Sequence, residues 1–91
     1  MARIVKVFSL SRYMDAALQL AVYEQDEDGL TVATVPTALG FFAQGESVEE
    51  ARSNLEDVIE GNVLLALQLG WDIPTLPGVT IEERDVEARS A

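Results

Sequence analysis

The sequence predicts an α+β domain: a three- to four-stranded antiparallel sheet with one long helix packed across a face. Three observations predict it. Two β-like segments flank the polar cluster Gln25–Gly29, a third follows at Phe41–Gln44, and residues 48–69 carry helical periodicity behind a serine cap. The run VPTALGFFAQGESVEEARSNLEDVIE, residues 35–60, joins these pieces through two glycine turns.

In chain order, residues 1–10 alternate weakly through Ile4, Val5, Val7, Phe8 and Leu10, as an added strand or a loose tail would. Ser11 is a candidate N-cap, and Tyr13, Ala17 and Leu18 recur at helical spacing, which predicts a short helix over 12–18. Ala17–Glu24 reads equally as strand, because Leu18, Leu20 and Val22 alternate with Ala21 and Tyr23. Asp26-Glu27-Asp28-Gly29 marks a turn whose glycine accepts positive φ. Leu30–Val35 is rich in β-branched residues and stops at Pro36, which has no amide to donate to a ladder. The two flanking strands therefore form a hairpin, and Phe41–Gln44 adds a third antiparallel strand. Phe41 and Phe42 have opposite parity, so one belongs to the core and the other to the surface or an interface.

Ser47 followed three residues later by Glu50 is a capping box. In it the serine oxygen accepts from the Glu50 amide, and the glutamate is expected to reach back to the Ser47 amide. The helix is predicted over 48–69, with Gly70 as its left-handed cap. Ala51, Leu55, Val58, Asn62, Leu65 or Ala66, and Leu69 form the expected buried stripe, with Glu49, Arg52, Ser53, Glu56, Asp57 and Glu60 opposite. Gly61 inside the helix costs about 1 kcal/mol relative to alanine, which points to close approach of another backbone. Val63–Leu67 is apolar nearly all round, so Val63, Leu64 and Leu67 are candidates for an oligomer interface. A stiff loop with Pro74 and Pro77 follows, then a short strand at Val79–Glu82 and a frayed tail over 84–91. Pro74, Pro77, Gly40, Gly45 and Gly70 are read as structural.

At 91 residues the chain is one domain with a thin core, and without cysteine it has no disulfide to reinforce it. It lacks histidine, the usual metal ligand and general base. No apolar run approaches the roughly 20 residues of a membrane span, and no signal-peptide h-region is present, so a cytoplasmic protein is expected. Residues 1–14 hold three basic groups and no acid; residues 15–91 hold three basic and sixteen acidic groups, so +3 and −13 make up the net −10. A body this acidic repels phosphate backbones, which argues against direct nucleic-acid binding. It suits a basic partner, although acidity serves solubility as well.

No pattern of catalysis emerges. The acidic turn lacks the ligand pattern of a calcium loop, and a solvated hairpin turn explains it better. A two-metal nuclease needs converging carboxylates, whereas these sit in a turn and on an outer helix face, so no metal or other cofactor is expected. A serine nucleophile would lack a base. The acids Asp26, Glu27, Asp28, Glu49 and Glu56 are candidates for partner binding.

The segments YEQDEDG, LTVATVP, TALGFFAQGES, VEEARSNLEDVIE and DIPTLPG stand in an order that resembles the HicB-like antitoxin family of bacterial type II toxin–antitoxin systems. The resemblance spans about Tyr23 to Pro77, and SRYMDAALQLAVYE is similar to the short helix before the first strand in some members. It implies a degraded RNase H-like fold without the nuclease carboxylates. It also implies a homo-oligomer, such as a dimer or tetramer. The implied partner is a small basic HicA-like toxin, a double-stranded-RNA-binding-like ribonuclease that cleaves messenger RNA through a histidine. Many members carry a C-terminal DNA-binding segment, and nothing after Pro77 matches one. Two rival readings are a stand-alone homo-oligomeric adaptor without a toxin and a residual metal-dependent ribonuclease.

Overall fold

The computed structural model describes residues 2–87. Along these the chain forms β1 (Ala2–Val7), α1 (Leu10–Leu20), β2 (Val22–Gln25), β3 (Thr31–Thr34), β4 (Phe42–Gly45), α2 (Val48–Leu69) and β5 (Glu82–Glu87). The main sheet is antiparallel in the order β2-β3-β4, with Tyr23 opposite Ala33 and Ala33 opposite Ala43. Its inner face carries Ala33 and Ala43, small residues that let α2 lie close. Phe41 is buried and Phe42 is exposed, as their parity requires.

α2 is the expected helix, from the Ser47 cap to Gly70 at φ +71°, where the left-handed conformation favours glycine. The Glu50 amide donates to Ser47 Oγ over 3.1 Å. The return bond differs from expectation: Glu50 Oε1 accepts from the Glu46 amide, one residue earlier than the box predicts. Gly45 explains how tightly this corner closes. A Cβ there would overlap the Ala51 amide nitrogen and lie 2.8 Å from the Glu50 carbonyl carbon, which no side chain tolerates.

The buried stripe of α2 is Ala51, Leu55, Ile59, Val63 and Ala66. Ala51, Leu55 and, of the two alternatives, Ala66 are buried as expected. Ile59 and Val63 take the places expected of Val58 and Asn62, and Leu65 and Leu69 are exposed. Asn62 is exposed and bonds back to the Val58 carbonyl at 2.9 Å. Both stripes have helical spacing, and the position of the sheet selects between them. Val63 thus belongs to the core, while Leu64 and Leu67 face outward.

α1 is longer than expected and is capped by Ser9, whose Oγ accepts from the Arg12 amide, not by Ser11. It ends at Leu20, so the ambiguous Ala17–Glu24 stretch divides between helix and strand. Tyr13, Ala17 and Leu18 bury against the core beside α2. Tyr13 is 0% exposed, and its hydroxyl donates to the Pro74 carbonyl over 2.5 Å. Phe8 and Phe41 meet its ring edge-on, with centroids 5.9 and 6.4 Å away. Ile73 and Leu76 enter the core from the loop thus anchored.

The chain ends differ most from expectation. β1 is a strand but does not join the main sheet; it pairs antiparallel with β5 as a separate two-stranded ribbon. The last strand is Glu82–Glu87 instead of Val79–Glu82, so residues 84–87 are paired and not frayed. Residues 88–91 of the expected tail lie outside the described residues. The ribbon packs substantially on neither helix nor the main sheet. The radius of gyration is accordingly 16.0 Å, against about 12 Å for a compact chain of this length.

Candidate partner-binding surface

Antiparallel pairing places Thr31, at the start of β3, opposite Gly45, at the end of β4. The hairpin tip before Thr31 and the α2 start after Gly45 consequently share one end of the sheet. Asp26, Glu27, Asp28 and Glu49 are thereby brought to a common acidic pole. Glu56 lies seven residues further along α2, about 10 Å up the helix axis. Glu46 and Glu50 belong to the same pole. Sequence reasoning missed them as surface acids, although the capping box and the hairpin register together imply their location.

These acids do not have equivalent roles. Asp26 Oδ1 accepts from the Asp28 and Leu30 amides, each at 2.9 Å, closing an Asx turn that shapes the tip. Glu50 is occupied in capping. Glu27, Asp28, Glu46, Glu49 and Glu56 are exposed and make no side-chain ion pair among the described residues. Glu49 also sits in the first turn of α2, where unsatisfied amides favour negative charge.

A second surface is of opposite character. From Gly61 to Trp71 the chain carries no charge. Leu64, Leu65, Leu67, Leu69 and Trp71 are each 40–58% exposed there. A Cβ placed on Gly61 would meet nothing within 4 Å, so no close backbone among the described residues explains that glycine. A smaller apolar groove of about 200 Å³ lies between Val35, Pro36, Ala38, Leu39 and Phe42.

The chemistry of the interior is quiet. Burial pushes the Tyr13 phenol up to about 12. The Tyr23 hydroxyl is buried without a partner among the described residues. No group of three or more His, Cys, Asp or Glu is placed to hold a metal ion among the described residues. No helix of the described residues is long and apolar enough to cross a membrane.

Residues 12–74 match the model of the family described as UPF0150-like, over more than half of the chain. The chain belongs to the UPF0150-like family. Its matched span runs from α1 through the main sheet and α2 to the loop that Tyr13 anchors. It is 40% identical over 37 residues to UPF0150 protein ssr1258 of Synechocystis sp., covering 41% of this chain and 54% of that one. The chain thus spans about half the length of the curated relative it matches. Among solved structures it is similar to TTHA0281 from Thermus thermophilus, with TM-score 0.71 and 32% identity. That match covers 77% of this chain and 93% of that one. The shared architecture establishes the α+β sheet-and-helix fold.

Proposed function

We propose that this protein is a non-enzymatic, HicB-like antitoxin that binds and masks a small basic HicA-like toxin through its acidic pole. The carrying observation is the meeting of the hairpin tip and the α2 start at one end of the sheet, set by Thr31 opposite Gly45. Complementary charge speeds encounter and selects against acidic competitors, and the −13 over residues 15–91 supplies the required field. Asp26 shapes the pole, while Glu27, Asp28, Glu49 and Glu56 contact the partner. The order of segments shared with HicB-like proteins supports this reading, and so does membership of the UPF0150-like family.

The test is capture of partners by the tagged chain from its native cell at moderate salt, followed by assay of the captured protein on RNA. The expected result is a stoichiometric small basic ribonuclease, released at high salt and inhibited when the purified chain is added back. Joint replacement of Glu49 and Glu56 by lysine should weaken that inhibition by about tenfold or more without unfolding the domain. Unchanged inhibition by the double variant overturns the acidic-pole contact. Recovery of the chain alone overturns the antitoxin reading.

A second reading has its own observation. The uncharged outer face at Leu64, Leu65 and Leu67 suits a stand-alone homo-oligomeric adaptor, in which α2 of one copy meets α2 of another near Gly61. A defined oligomer recovered without any basic protein favours this alternative.

A further inference from the structure

The ribbon of β1 and β5 is separate from the main sheet, and its Lys6 and Glu83 border a surface cavity with Asp72, Ile73 and Thr75 of the loop after α2. Two strands alone are marginal in water; stability normally requires a third strand or a helix against them. Within the described residues β1 and β5 have no third strand, and no helix packs substantially on them. Each strand also has a free outer edge, with unpaired amides and carbonyls that template further pairing.

The two edges are not alike. β5 carries Glu82, Glu83, Arg84 and Asp85, all exposed, the charged guard that blocks edge-to-edge pairing. Two β5 strands side by side would oppose −3 with −3. β1 has no acid: besides Arg3 and Lys6 it consists of Ala, Ile and Val, and Val7 is 37% exposed. Its Lys6 stands opposite Glu83 within the ribbon, so two β1 strands can meet with their charge already offset by their own β5.

We infer that β1 pairs antiparallel with β1 of a second copy of this chain, on a two-fold axis at Val5, forming a four-stranded sheet ordered β5-β1-β1-β5. With Val5 opposite its own copy, Arg3 stands opposite Val7 and Lys6 opposite Ile4, so no two cations face each other. A shift of one residue would set Arg3 against Lys6 and turn the strand over. The contact is isologous and closes at two copies, whereas β1 against β5 of the next copy would propagate without end. It uses neither the acidic pole nor the outer face of α2, and it stands whether or not a toxin exists.

The chain has no cysteine, so a single introduced thiol reports on one contact alone. In the paired state the two Val5 positions lie about 5 Å apart, within disulfide reach, while the two Arg84 positions are three strand spacings apart, about 14 Å. The experiment compares purified Val5→Cys and Arg84→Cys under mild oxidation, with circular dichroism of each reduced chain as the folding control. Light scattering of the unmodified chain runs in parallel. The expected result is a dimer by light scattering, with near-complete covalent dimer for V5C and none for R84C. Cross-linking of R84C, equal cross-linking of both, or an uncross-linked V5C would each overturn the pairing. A monomeric unmodified chain would overturn it too.

Discussion

The two halves of α2 follow the same helical rules and end in opposite circumstances. A helix of 22 residues is about 33 Å long, whereas the four-residue strands beneath it reach about 13 Å. Its first half lies on the sheet, where Ala51, Leu55 and Ile59 are each 0% exposed and the acids face water. Its second half overhangs. There only Val63 and Ala66 are buried, and four leucines remain largely in solvent. Where the sheet supplies a floor, the inward-facing apolar residues are covered inside the chain. Beyond it, the exposed apolar side chains and Gly61 are not accounted for among the described residues.

The largest effect that breaks this contrast is expected at the tight end. Gly45→Ala drives a methyl into the Ala51 backbone and should cost about 3 kcal/mol in urea unfolding. A loss within about 0.5 kcal/mol would mean that the corner between β4 and α2 opens freely.

The next effect tests how the loop after the overhanging half is held. Tyr13→Phe leaves the Pro74 carbonyl without its donor and should cost about 1–2 kcal/mol near neutral pH. Its pH signature is specific. The Tyr13 phenol titrates at about 12 when folded and near 10 when unfolded, so the folded chain holds the proton more tightly between those values. The Tyr13 contribution is therefore complete below pH 10 and declines as pH rises through 12. The unmodified chain should lose more stability between pH 10 and 12 than Tyr13→Phe does; parallel pH profiles would remove the assignment.

The smallest effect has the opposite sign. Gly61→Ala adds a methyl in open space at an exposed helix-interior position, so it should stabilise the isolated chain by about 1 kcal/mol. A destabilised variant in urea unfolding would show that the glycine is required by a contact already present in solution, with its concentration dependence identifying another copy.

The capping box and Gly70 placed both ends of α2 because each is a local hydrogen-bonding or dihedral requirement, readable within four residues. The hairpin at Gln25–Gly29 was legible for the same reason, as was the division of Phe41 from Phe42. Local reasoning failed on α2's inward face, since stripes through Asn62 and through Val63 are equally periodic. It also failed at α1, where Ser11 was the expected cap and Ser9 is the one used. The candidate site was half legible: its acids were evident, but their convergence depended on the register of β3 with β4.

The sequence by itself determined where α2 starts and stops, where the hairpin turns, and that the body is acidic and free of histidine and cysteine. Those properties belong to single residues or to neighbours within one turn. Only the tertiary structure decided which side of α2 is buried, which acids share a pole, and that β1 pairs with β5 across nearly the whole chain. These outcomes depend on contacts between distant segments, and no local dihedral preference or cap encodes the choice of a strand's partner.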